Sequence, residues 1–99
     1  MVSLPVPTSF NWDKGNLEKN WKKHKVHFKE AEEVFFNKPL KIFPDIRRSI
    51  VEKRFQALGV TDNRRKLTIF FTIRNKKIRI ISARNQNKKE RERYAKKEN

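Results

Sequence analysis

A histidine that follows a lysine-rich segment is the first group in this sequence that could do chemistry. His24 comes directly after Lys22 and Lys23. An imidazole can accept or donate a proton near neutral pH. A base beside fixed cations suits the cleavage of a phosphodiester bond. The alternative is a packing role for His24 beside Trp21.

A second candidate group lies in the middle of the chain, where Glu52 and Arg54 are two residues apart. Residues two apart on a β-strand point to the same face of the sheet. Arg54 could therefore bind a phosphate with its planar fork, while Glu52 acts as a base or orients Arg54. The alternative is a structural cross-strand salt bridge, which is common in proteins and weak at the surface.

Three arginines on predicted strands, Arg74, Arg79 and Arg84, could also bind phosphate. Arginine remains charged and donates two parallel hydrogen bonds to a phosphate group. Arg79 and Arg84 are five residues apart, so they fall on opposite faces of one strand unless a bulge intervenes. Without a bulge, only some of the three can line one site.

The charge of the chain indicates a polyanion as partner. The 99 residues include 26 Lys and Arg against 11 Asp and Glu, a formal net charge of +15. This excess opposes folding and attracts dense polyanions, so nucleic acid is the first candidate. A basic surface that serves only solubility is the alternative. The residues expected to attract RNA are Lys19, Lys22, Lys23, Arg65, Lys66, Arg79 and Lys88.

The composition also excludes several classes of site. The chain has no cysteine, so it can form neither a disulfide nor a thiolate metal site, and it has only two histidines. We therefore expect no metal and no cofactor. The first residues lack the features of a signal peptide, and no apolar run is long enough to span a membrane. We expect a cytoplasmic protein without membrane contact.

These groups must be positioned by one small domain, since 99 residues can bury a single modest core. We expect an extended arm over residues 1–9 and a single domain over residues 10–97. Caps and apolar stripes at helical spacing predict three helices. They run from Asp13 to His24, from Phe28 to Phe35, and from Asn87 to about Lys97.

Between the second and third helices the apolar pattern changes to a period of two, which predicts strands at 40–43, 51–59, 66–74 and 78–84. Consecutive strands with short links pair as an antiparallel meander. The fold class is therefore α+β, with two N-terminal helices, a sheet of about four strands and a C-terminal helix. Phe70 makes the third strand apolar on both faces, as in a central strand. Trp12 and Phe70 are the aromatic residues best suited to stack on a base.

The order and spacing of many residues resemble the BrnT family, the toxins of bacterial and archaeal type II toxin-antitoxin systems. The resemblance extends from Phe10 to Tyr94. The sequence departs from the family pattern where a glycine often follows the histidine, here Lys25, and where a serine often caps the second helix, here His27. The matching residues are Phe10 to Asp13, Lys19-Asn20, Lys23-His24, Glu30-Ala31, Val34-Phe35, Asp45, Glu52, Arg54, Gly59, Thr72, Arg74, Arg79 to Arg84, Glu90-Arg91 and Tyr94.

The resemblance implies a RelE-like fold and a metal-independent endoribonuclease that cleaves RNA and arrests growth. It also implies neutralisation by a BrnA-like antitoxin, a ribbon-helix-helix protein, with operator DNA bound only through the complex and a possible toxin dimer within it. The matched positions favour Arg74 and Arg84 as phosphate or transition-state ligands, with Arg79 as a helper. The expected catalytic residues are His24, Glu52, Arg54, Arg74 and Arg84.

Two other functions fit the same residues. The first is a non-enzymatic, basic nucleic-acid-binding module that acts with its antitoxin on operator DNA. The second is an inactive protein that serves only as a structural partner of the antitoxin. RNA cleavage by the purified, antitoxin-free protein distinguishes the enzyme from both.

Overall fold

The described residues form three α-helices and four strands, in the order that the sequence predicts. The computed structural model describes residues 9–48 and 51–97. Apart from Ser9, the expected N-terminal arm lies outside the described residues. The elements are α1 (Lys14–His24), α2 (Phe28–Val34), β1 (Lys41–Pro44), a short 3-10 helix (Ile46–Arg48), β2 (Arg54–Val60), β3 (Lys66–Arg74), β4 (Lys77–Asn85) and α3 (Lys88–Ala95).

Side-chain caps fix where each helix begins. Asp13 and Asn16 form a capping box at the start of α1, and Asn87 forms the predicted box at the start of α3. His27 caps α2, with its Nδ1 accepting a hydrogen bond from the backbone N–H of residue 29 at 3.1 Å. Lys25 caps the end of α1 and adopts the left-handed conformation with φ 57°. Glycine is favoured in this conformation, which agrees with the family pattern at that position.

The four strands form one antiparallel sheet in the order β1-β2-β3-β4, which is the predicted meander. Strand β2 begins at Arg54, three residues later than the alternation predicts, so Glu52 precedes the strand instead of sharing a face within it. Strands β3 and β4 are joined by Asn75 and Lys76, both with positive φ. Positive φ at both positions gives a tight turn that matches the twist of the strands.

A bulge in β4 changes which side chains share a face. Phe70 pairs with Ser82, whereas the next residue of β3 pairs with Ile80, so Ile81 is an extra residue. The extra residue shifts the alternation of the strand by one. Arg79 and Arg84 therefore lie on the same face of the sheet.

One face of the sheet forms the main core. Leu67, Ile69 and Phe71 of β3 are fully buried there, in a cluster that includes Val34 of α2. Gly59 of β2 allows this close packing, because a Cβ at that position would lie 2.6 Å from Cγ1 of Val34. Within the described ranges, none of the helices combines the length and the apolar character that crossing a membrane requires.

The opposite face of the sheet, the open face, carries polar residues and is covered by α3 at one end. Tyr94 of α3 packs there with Leu58 and Val60 of β2, and Phe43 of β1 contacts this cluster. Beyond α3, the register places eight side chains of the three longer strands on the open face. They are Arg54, Phe70, Thr72, Arg74, Lys77, Arg79, Ser82 and Arg84.

Candidate active site

A cavity of about 500 Å³ on the open face brings basic side chains from four elements together. Two of the predicted catalytic residues, Arg54 and Arg84, line this cavity from β2 and β4. Lys19, predicted to bind RNA, reaches it from α1. The complete lining is Lys19, Asp45, Arg47, Arg54, Phe70, Ile81, Ser82 and Arg84.

Arg84 is held by a carboxylate from α3. Its Nη1 and Nη2 donate to the two carboxylate oxygens of Glu90 at 2.7 and 2.9 Å. Glu90 also accepts a hydrogen bond from Gln56 Nε2 at 3.2 Å and one from the Asn87 backbone N–H at 2.9 Å. This end-on pair leaves the Nε edge of the guanidinium for a second anion.

The charge states in this pair follow from the same contacts. Burial raises the pKa of Glu90, but the hydrogen bonds from Arg84 and Asn87 outweigh burial and leave that pKa below its ordinary value. The hydrogen bond to Glu90 also raises the pKa of Arg84. Both groups are therefore ionised at neutral pH, and α3 takes part in positioning a cation of the site.

Helix α1 binds the bulged backbone of β4 at the other side of the cavity. Lys19 Nζ donates to the carbonyl oxygen of the bulged residue Ile81 at 3.1 Å. Asn16 donates to the Ile80 carbonyl at 3.3 Å, and Asn20 accepts from the backbone N–H of residue 83 at 3.1 Å. The bulge thus provides a carbonyl that fixes Lys19 beside the cavity.

Glu52 and Arg74, two further predicted catalytic residues, bind each other. Arg74 donates from Nε and Nη2 to the two oxygens of Glu52 at 3.1 and 2.8 Å. Hydrogen bonding to Arg74 lowers the pKa of Glu52, and hydrogen bonding to Glu52 raises the pKa of Arg74. The salt bridge that was considered for Glu52 is present, and its partner is Arg74. Neither residue is part of the cavity lining.

Arg79 and Arg65, expected to bind RNA, make extensive contacts within the protein. Arg79 donates to Asn11 Oδ1 at 2.9 Å and to Asp13 Oδ2 at 2.6 Å, and the hydrogen bond from Arg79 lowers the pKa of Asp13. Arg65 donates to the side chains of Asn85 and residue 30 and to the carbonyl of residue 25. These contacts tie the N-terminal segment and the α1–α2 link to the sheet.

His24 lies at the end of α1 with an exposed side chain. Among the described residues that line the cavity, none is a histidine. Lys22 forms an exposed ion pair with Glu18 at 3.7 Å. The remaining residues expected to attract RNA, Lys23, Lys66 and Lys88, are exposed. In the described part of the chain, no three His, Asp or Glu side chains are grouped as metal ligands.

The cavity also contains residues to which the sequence assigned no role. Arg47 was not predicted, and Asp45 and Ser82 were noted only within the family resemblance. Arg47 belongs to a basic pair that lies between two predicted strands, three residues after Pro44. A short link between paired strands must lie at an end of the sheet. The position of the link in the sequence is therefore the signal that could have identified Arg47 as a site residue.

The arrangement is suited to binding a phosphodiester. Arg47, Arg54 and Arg84 can donate planar pairs of hydrogen bonds to phosphate oxygens, and Lys19 adds a fourth positive charge. Cations fixed before the reaction stabilise the charge that develops on a phosphate in the transition state. The aromatic ring of Phe70 adds an apolar surface to the cavity, next to Arg84.

Comparison with known proteins identifies the family. No curated protein sequence matches the chain at a significant level. A family model for BrnT, the ribonuclease toxin of a type II toxin-antitoxin system, matches residues 12–90. This range includes α1, α2, all four strands and every residue of the cavity lining. The chain therefore belongs to the BrnT family of ribonuclease toxins.

Proposed function

We propose that the protein is a metal-independent endoribonuclease that cleaves RNA at the cavity on the open face and thereby arrests growth. The observation that carries this proposal is the convergence of Arg47, Arg54 and Arg84 around one cavity. Three arginines and Lys19 supply the positive charge that a divalent ion would otherwise contribute to phosphate binding.

The proposed reaction is an internal transfer at phosphorus. The ribose 2′-oxygen forms a bond to the adjacent phosphorus, and the bond from phosphorus to the 5′-oxygen of the next nucleotide breaks. A base takes the proton of the 2′-hydroxyl, and an acid gives a proton to the departing 5′-oxygen. The products are a 2′,3′-cyclic phosphate and a 5′-hydroxyl. Arg54 and Arg84 stabilise the charge on the non-bridging oxygens.

The reaction also requires residues that transfer protons, a base and an acid. Glu52 orients Arg74, because a carboxylate that accepts two hydrogen bonds from a guanidinium is a weak base. His24 and Asp45 are the candidates for the base and the acid, since an imidazole is a common general acid or base in enzymes and Asp45 lies in the cavity. A pH–rate profile of His24→Ala and Asp45→Asn assigns them, because losing a proton-transfer group removes its limb of the profile.

The test is incubation of the purified, antitoxin-free protein with single-stranded RNA in excess chelator. We expect cleavage to persist and the products to carry 2′,3′-cyclic phosphate ends. Arg54→Ala and Arg84→Ala should each lower kcat by about 10²- to 10³-fold, as for loss of one transition-state donor. Lys89→Ala removes one charge from an exposed position on α3 and serves as the control. Loss of cleavage in chelator would refute the metal-independent reaction.

Membership in a type II system implies an antitoxin partner. We infer that this partner is a BrnA-like ribbon-helix-helix protein that covers the open face with an acidic segment, since the toxin has a net charge of +15. Operator DNA is bound through the complex, in which the toxin forms a dimer. Growth arrest by the toxin alone, relieved by the protein of the adjacent gene, tests this pairing. Binding of RNA without products would instead favour the non-enzymatic module.

A further inference from the structure

Phe70 is an apolar residue on a polar surface. It lies on the open face between Thr68 and Thr72 of β3, and its partners across the sheet are Gln56 and Ser82. Its side chain is half-buried and lines the cavity. A phenylalanine at such a position leaves apolar surface in contact with water, which is unfavourable unless a ligand covers it.

The core does not account for Phe70. The aromatic rings that pack edge-on in the core are on the opposite face, as in the contact of Phe35 with Phe71 at 5.1 Å between centroids. Among the described residues, neither hydrophobic cluster includes Phe70. Phe43 is the instructive comparison. It lies on the same face, but it packs on the cluster of Tyr94 and is covered by the guanidinium of Arg93, 3.3 Å from its ring centroid.

The surroundings of Phe70 match one class of ligand. The guanidinium of Arg84 lies over the ring of Phe70 with its Cζ atom 5.8 Å from the ring centroid, a looser contact than the 3.3 Å between Arg93 and Phe43. Arg54 is the diagonal neighbour of Phe70 on β2, because Arg54 pairs with Thr72. A flat apolar ring between two phosphate-binding cations matches the alternation of base and phosphate along a single RNA strand. Ser82, directly opposite on β4, adds a hydroxyl that can bond to a base edge or a ribose.

We propose that Phe70 forms the floor of a nucleobase-binding site, on which one base of single-stranded RNA stacks while Arg54 and Arg84 bind the neighbouring phosphates. This inference rests on the proposed function, since it takes RNA as the ligand. A cavity of about 500 Å³ has the size of a small-ligand site and can accommodate one nucleotide. Stacking depends on the face of the base and not on its edge pattern. Phe70 therefore sets the position of the RNA strand along the cavity and contributes little to its base preference.

The experiment measures binding without cleavage. The ligand is a fluorescein-labelled RNA decamer with 2′-O-methyl groups at every position, which lacks the attacking hydroxyl, and Kd is obtained by fluorescence anisotropy. We expect Phe70→Leu to raise Kd by about 5- to 100-fold, since base–aromatic stacking has that effect in single-strand binding. Phe70→Trp should retain the affinity. Phe43→Leu, the same change on the same face under α3, is the matched control and should change Kd less than twofold.

A second ligand separates stacking from a structural effect. An oligomer of abasic ribose phosphates keeps the charges but has no base to stack, so wild type and Phe70→Leu should bind it equally. An unchanged Kd of Phe70→Leu for the decamer would overturn the proposal, and so would an equal loss for the abasic oligomer. Cleavage is measured separately on unmodified RNA. If the wild-type protein cleaves no RNA but Phe70→Leu still lowers the affinity for the decamer, the ribonuclease proposal is refuted and the base site is supported.

Discussion

The carboxylate of Glu90 joins α3 to the candidate active site, and Glu90→Gln tests that link. Glutamine keeps the size of the side chain and one carbonyl oxygen for the backbone N–H of Asn87. It removes the negative charge and one of the two oxygens that bind Arg84 at 2.7 and 2.9 Å. Arg84 is then left with a single neutral acceptor in place of a bidentate carboxylate.

The size of the effect follows from burial. The side chain of Glu90 is 11% exposed and that of Arg84 is 31% exposed. Removing one partner of a buried ion pair destabilises a protein by about 3–5 kcal/mol, and a hydrogen bond to a charged group contributes about 1.5–3 kcal/mol. Because Arg84 retains access to water, we expect Glu90→Gln to lower the free energy of unfolding by about 2–3 kcal/mol. In a domain of this size that change lowers Tm by about 10–20 °C.

The effect depends on pH in a defined direction. The folded-state pKa of Glu90 lies below its ordinary value of 4.5 because hydrogen bonds to Arg84 and Asn87 outweigh burial. A lowered pKa contributes stability above the unfolded-state pKa and loses it as the pH falls through the folded-state pKa. The difference between wild type and Glu90→Gln should therefore be complete at pH 7 and decrease below about pH 4.5.

Urea denaturation at pH 7 and at pH 3.5, followed by tryptophan fluorescence, measures both quantities. Glu92→Gln is the matched control, since it removes the same charge from an exposed position on the same helix. It should change the unfolding free energy by less than about 0.5 kcal/mol. Equal losses in Glu90→Gln and Glu92→Gln would refute the reasoning. A difference between wild type and Glu90→Gln that does not decrease in acid would refute the role of the charge.

Three further predictions concern packing, anchoring and salt. Gly59→Ala should lower the unfolding free energy by about 1–3 kcal/mol in urea titration, because its Cβ would lie 2.6 Å from Val34 Cγ1. Gly15→Ala, whose Cβ has room, should not destabilise. Arg79→Ala should lower the unfolding free energy in the same assay, since it removes the hydrogen bonds from Arg79 to Asn11 and Asp13. RNA affinity should fall steeply between 50 and 200 mM salt in anisotropy titrations; a flat dependence would contradict a phosphate-binding face.

The sequence was sufficient for the order of the elements, because each was specified by local signals. Asp13 and Asn87 marked the starts of two helices through side-chain caps that need only the next three residues. The alternation at 66–74 predicted β3 at its observed bounds. The start of β2 was wrong because Val51 was counted as a strand residue. Its side chain is 97% exposed, so apolar character alone did not indicate burial there.

The site was harder to predict because its geometry depends on distant segments. Arg54 and Arg84 face one cavity only after three strands pair in a fixed register, and the bulge at Ile81 determines the face of Arg84. The pairing of Glu52 with Arg74 depends on where β2 begins. Alternation predicts side-chain faces within a regular strand, but it does not predict where the regularity ends.

The bulge at Ile81 makes the open face sensitive to chain length as well as to residue identity. Deleting the extra residue Ile81 would restore a regular strand and keep the pairs Phe70–Ser82 and Phe71–Ile80, so Arg84 would stay on the open face. The carbonyl oxygen that accepts a hydrogen bond from Lys19 at 3.1 Å would be lost. In this segment a single-codon deletion would therefore remove the anchor of one cation while leaving every charged residue of the cavity in the gene. Alignments of BrnT sequences that place a gap in this segment mark proteins in which this lysine must be held differently.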